Sequence, residues 1–283
     1  MPRRSLYLYA LVVLALASLY APMLAQMTHA WMEDTYAGHG MFVPMFSLVI
    51  AWIERDRIRA AVGRSEPIGL ALIVVAVGML ALGYRLEALV IQGISFALAV
   101  AGLVVCVAGR DALRAAVFPV CFLALMAPLP HTIVAAVTLH VQMFAARFAT
   151  AALRLVDVPV YQTGTEIQLP QLTLRIVEAC NGLRFLLALL VLTAAFARVT
   201  LSGLGNRIAL VAVAAPWAVV ANAIRIAAIA FAVQLWGPEA ASGTIHNWIG
   251  KGVWAVTIMP LAGLGFWLSR HEAPGRHEAE VTA

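Results

Sequence analysis

Three short stretches set reactive or charged groups against apolar surroundings. The first is Glu178-Ala-Cys-Asn-Gly-Leu-Arg184, which ends a polar segment and opens a long apolar run over 185–197. The second is Asn222 with Arg225, three residues apart and therefore on one helix face. The third is His246-Asn247, at the start of the last apolar run. A thiol near a helix N-terminus with a cation beside it has a depressed pKa and is a usable nucleophile, a role open to Cys180. An imidazole such as His246 can remove that proton and return it to a leaving group. A guanidinium such as Arg225 can stabilise an oxyanion or hold a carboxylate.

Each of these residues also has a plainer reading. Cys180 could be a packing residue, although Glu178 and Asn181-Gly182 around it favour chemistry. Arg225 could be half of a structural ion pair; inside an apolar helix it needs either a partner or a water-filled cavity. His246 could be an ordinary loop histidine. Arg184, one turn beyond Cys180, is a second cation for the site or a side chain snorkelling to the interface. Asn222 would orient Arg225, and His39 in Gly38-His-Gly is weaker alone.

The elements that must position these groups are membrane helices. Of 283 residues 63% are hydrophobic and only 12% charged, and the mean hydropathy is +0.91. A soluble domain is nearer one quarter charged, so the composition is that of a multi-span membrane protein. The net charge of +5 rests almost wholly on arginine, with Lys251 the single lysine, and is a topology signal. No nucleic-acid-binding pattern accompanies it, and no nucleic-acid partner is expected. Cys106, Cys121 and Cys180 have neither zinc-ligand nor CxxC spacing, so no metal or cofactor is expected.

Apolar runs near 7–27, 41–53, 67–84, 88–107, 115–130, 181–197, 208–236 and 248–268 predict about eight transmembrane helices. The segment 131–156 is different. His140, Arg147 and Arg154 recur every seventh residue, opposite a face of Val141, Ala145, Ala149, Ala152 and Val156, which predicts an amphipathic helix lying in the interface. A further span with interior polar groups is the alternative. With 131–156 flat, Arg3, Arg4, Arg55, Arg57, Arg59, Arg64, Arg110, Arg114, Arg198, Arg207, Arg270 and Arg276 all fall on the cytoplasmic side. Both termini are then cytoplasmic. The partly alternating stretch 157–176, with turns at Thr163-Gly164 and Pro170-Gln171, predicts a small extracytoplasmic β-hairpin leading into Glu178. The fold class is therefore all-α, a polytopic helical bundle. It forms one transmembrane domain over 1–268, and a polar, disordered tail follows over 269–283. Cys180, Arg225 and His246 converge at the outer surface if the long run at 208–236 projects beyond the lipid.

Taken together the motifs resemble the exosortase/archaeosortase family of polytopic membrane proteins. EACNGLR at 178–184 resembles the family's nucleophile motif, NAIRI at 222–226 its arginine motif and HNWIG at 246–250 its histidine motif. GHG at 38–40 resembles an N-terminal element, and the likeness covers about 1–268. The resemblance implies a cysteine transpeptidase of the bacterial cytoplasmic (inner) membrane. Cys180 would be its nucleophile, Arg225 and His246 its partners, and its site would face the extracytoplasmic side. It implies as partners secreted proteins whose C-terminal tail carries a Pro-Glu-Pro-type motif, a hydrophobic helix and a basic end. It further implies an amine acceptor, such as one on a lipid, and an association with exopolysaccharide production. Two other classes stay open: a membrane scaffold or export component for polysaccharide assembly, and a purely hydrolytic intramembrane protease.

Overall fold

Within hydrocarbon every backbone N–H and C=O must be paired inside its own segment, so a long apolar run has one solution, the α-helix. A computed structural model, which describes residues 3–175 and 182–272, has ten. They are α1 (Arg3–Glu33), α2 (Phe42–Ile53), α3 (Arg55–Ala60), α4 (Ile68–Arg85), α5 (Leu89–Ala115), α6 (Val117–Phe122), α7 (His131–Arg154), α8 (Leu183–Thr200), α9 (Leu204–Trp236) and α10 (Gly243–His271). Among the described residues seven helical stretches are long and apolar enough to cross a membrane, in α1, α4, α5, α7, α8, α9 and α10. The chain is thus a polytopic helical membrane protein. It divides into two compact units, Met1–Pro130 and His131–Ala283.

In the first unit α4 and α5 form a close hairpin. A Cβ on Gly69 would come within 2.5 Å of the Gly102 carbonyl oxygen, and one on Gly102 within 2.8 Å of that of Gly69, so only glycine permits this approach. The buried Tyr20 hydroxyl of α1 donates to Ser95 Oγ at 3.2 Å, a polar tie between α1 and α5. The Gly38–Met41 turn is wedged against α1. A Cβ on Gly40 would lie 2.4 Å from both the Met126 carbonyl oxygen and Trp31 Nε1, and Trp31 Nε1 itself donates to that carbonyl at 2.9 Å. His39 beside it is buried, and its Nδ1 donates to the Tyr36 carbonyl at 2.9 Å. The Gly-His-Gly element is therefore tied into packing within its own unit.

In the second unit α8, α9 and α10 pack side by side, with α7 along α9. Here the structure adds a protein partner to the amphipathic expectation. The small-residue face of α7 is covered by protein: Ala145, Ala146, Ala149 and Leu153 are buried with Ala223, Ile226, Ala230 and Val233 of α9. Small side chains let two backbones approach closely, and between membrane helices close packing replaces the missing hydrophobic drive. His140, Arg147 and Arg154 are exposed on the other face, so the sevenfold spacing was a true periodicity whose apolar partner was a helix. By length α7 also qualifies as a span. The apolar stretches Gly38–Ile53 and Val117–Met126, which the sequence counts as spans, are shorter than the seven.

The polar segment after α7 folds as expected, with one strand more. Strands β1 (Tyr161–Thr163), β2 (Glu166–Gln168) and β3 (Thr173–Arg175) form an antiparallel meander in chain order, with Thr163 opposite Glu166 and Gln168 opposite Thr173. Gly164, at φ +61°, makes the first turn. Ile167 is fully buried from β2 into the α7–α9 cluster, which fastens the sheet beside Ala223 and Ile226. At the other end of the chain α10 continues to His271, and Glu272 is hydrogen-bonded. The disordered tail expected from 269 therefore does not begin there; 273–283 lie outside the described residues.

Candidate active site

α9 is the spine of the site. Its apolar positions build a 33-residue helix, and in the middle Asn222 and Arg225 share a face one turn apart. Asn222 is 1% exposed. Leaving an amide and a guanidinium at such positions is costly unless neighbouring elements answer them.

Two elements do. Arg225 Nη2 lies 3.2 Å from His246 Nε2, at the start of α10. Arginine has no acceptor, so the imidazole nitrogen must accept, and the ring is neutral with its proton on Nδ1. Arg225 Nε is buried and without a hydrogen-bond partner among the described residues. The guanidinium thus keeps one donor that His246 does not take up.

The second element is the start of α8. Gly182 precedes the helix with φ +73°, a left-handed conformation natural to glycine. A Cβ built there would meet the Asn222 side chain at 2.6 Å. The glycine of the cysteine motif is therefore in direct packing contact with the asparagine of the arginine motif. The sequence reading gave Gly182 no separate role; a glycine just before an apolar helix, next to a candidate nucleophile, was the available signal. Phe185, one turn on, packs edge-to-face on Trp254 of α10 with centroids 4.6 Å apart, an arrangement worth about 0.5–1.5 kcal/mol beyond its buried area. Through these contacts α8, α9 and α10 are locked together around the site.

Of the predicted residues, then, Arg225 and His246 touch, and Asn222 joins them to Gly182. Arg184 is exposed in the first turn of α8. Glu178, Cys180 and Asn181 lie outside the described residues. His39 belongs to the first unit, with the contacts given above.

The profile of one protein family, described as transmembrane exosortase, matches residues 31–263. Neither a curated protein nor a solved structure matches the chain.

Proposed function

Because the chain belongs to the transmembrane exosortase family, we propose that it is a cysteine transpeptidase of the bacterial inner membrane. Its cargo is secreted protein with a C-terminal sorting tail: a Pro-Glu-Pro-type motif, a hydrophobic helix and a basic end. The observation that carries the reading is the 3.2 Å contact between Arg225 and His246, with Gly182 packed on Asn222. Described parts of three motifs far apart in sequence, Gly182, Asn222 with Arg225, and His246, thereby come together.

The chemistry follows from the resting arrangement. As the scissile carbonyl enters, Arg225 Nη2 turns from His246 Nε2 to the carbonyl oxygen. The freed Nε2 lone pair takes the Cys180 thiol proton. The thiolate attacks the carbonyl carbon, a C–S bond forms, and the oxyanion is held by the guanidinium. Collapse breaks the C–N bond, and His246 gives its proton to the departing amine, leaving a thioester. An acceptor amine then attacks the thioester, transfers a proton to His246 and displaces the thiolate, which recovers that proton.

Mass analysis of mature cargo is the test. Transfer predicts a C-terminus heavier than the free carboxylic acid by the mass of the acceptor amine less one water. A free carboxyl end would make the protein a hydrolase. Full processing in cells whose only copy carries Cys180→Ala would make it a scaffold.

In this reading both termini are cytoplasmic, and 157–177 faces outward with the site. The arginine distribution supports it. Thr163 is exposed at the end of β1. A cysteine introduced there is expected to react with a membrane-impermeant thiol reagent in intact spheroplasts. Protection there, with labelling of the tail from outside, would reverse the topology and make α7 a crossing helix.

A further inference from the structure

The α9–α10 hairpin is tied by polar contacts at three levels. Near its middle Trp217 Nε1 donates to the Thr257 carbonyl at 3.1 Å, and towards the connecting turn Arg225 meets His246. At the far end the Glu272 carboxylate accepts four hydrogen bonds. Ser202 N (2.7 Å) and Ser202 Oγ (2.5 Å) donate to Oε2; Gly203 N (3.0 Å) and Asn206 Nδ2 (2.8 Å) donate to Oε1. As the partner on α10 moves up the chain, its partner on α9 moves down, so the helices run antiparallel in one continuous register.

Apolar packing holds α10 at one level, where a Cβ on Gly265 would come within 2.4 Å of Phe196 and 3.2 Å of Leu210. Only Thr257, Leu261 and Gly265 of α10 are fully buried, and lipid is as good a solvent for its apolar face as α9 is. Directional contacts add to that packing in setting the axial position, and the Glu272 cluster, with four hydrogen bonds, is the densest of those described. Its carboxylate sits at the N-terminal end of α9, where the helix dipole favours an anion. Burial pushes the Glu272 carboxyl up, but the Ser202 hydroxyl and amide, the Asn206 amide and the Gly203 N–H outweigh it and bring it to about 2. The clamp is therefore ionised at every physiological pH and works as a fixed anchor.

We propose that Glu272 is a positioning residue for the Arg225–His246 pair, fixing the axial register of α10 on α9 from the opposite end of the hairpin. The lever is roughly 35–40 Å long at 1.5 Å per residue. A slip of one helical turn, about 5.4 Å, would carry His246 out of reach of Arg225. The role in cleavage rests on the transpeptidase reading; the role in register does not.

Thiol cross-linking in membranes separates the two. In a background with Cys106, Cys121 and Cys180 replaced by alanine, Arg225→Cys is paired in turn with Ser242→Cys, His246→Cys and Gly250→Cys. Each pair is treated with a short bifunctional thiol reagent. With Glu272 intact, the 246 pair is expected to dominate. Glu272→Ala, and more mildly Glu272→Gln, should raise a neighbouring pair to a comparable yield. In the otherwise native protein the cargo-cleavage rate constant should fall about tenfold or more at matched abundance, with cargo KM little changed. An unchanged cross-linking ladder in both Glu272 variants overturns the proposal whatever happens to cleavage. A shifted ladder with undiminished cleavage overturns the positioning role. If the native protein cleaves no cargo, the transpeptidase reading fails and the ladder alone decides the register.

Discussion

Cys180→Ser is expected to abolish cargo maturation while protein level and membrane insertion stay nearly normal. The hydroxyl is close to the thiol in size, so packing is little disturbed, but its pKa is far higher. A neutral imidazole beside a guanidinium can take a thiol proton; it gives a serine little help toward an alkoxide. The loss should be on the order of 10³-fold or more, as for removal of a nucleophile that works as part of a unit. A cysteine kept only for packing would tolerate the change, because the swap then adds no more than a modest polar mismatch. Cys106 and Cys121 are free thiols in the first unit, partly buried and exposed respectively, and their serine variants are the controls. The quantity to measure is the ratio of uncleaved to mature cargo at matched abundance. Substantial maturation by the Cys180→Ser protein would end the transpeptidase reading.

Arg225→Lys should lose about 10²-fold in cleavage even though the charge is kept. The guanidinium presents Nη2 to His246 at 3.2 Å while Nε stays buried and unspent among the described residues. Lysine lacks the planar fork needed to bridge an oxyanion and a neighbouring group. If the positive charge served folding alone, lysine would recover most of what alanine loses. Membrane abundance and cleavage must be read in the same cells, and normal cleavage by the lysine variant would remove Arg225 from any geometry-dependent role.

Much of this was legible in the sequence. Hydropathy marks the lipid-embedded part of each helix because burial in hydrocarbon is a property of the local run. It does not mark the ends: α1 extends to Glu33 and α10 to His271, since a helix continues through polar residues beyond the lipid as long as its hydrogen bonds do. Turn chemistry is equally local, and Thr163-Gly164 fell where the first turn of the meander lies. The three motifs could be named because an amide, a guanidinium or an imidazole in an apolar helix is conspicuous wherever its partner is.

The partners were what the sequence left open. An apolar stripe of alanines on α7 suits a lipid interface and a neighbouring helix equally, and only the fold shows that α9 covers part of it. Nothing in the sequence marks the partner of Gly182; only the fold puts Asn222 where its Cβ would be. Arg225 and His246 are 21 residues apart on two different helices, so their contact depends on the axial register of the hairpin. Periodicity within a helix carries no information about its slide along a neighbour. That slide is set by packing and by directional contacts at a few points, Glu272 among them, and these exist only once the helices have packed.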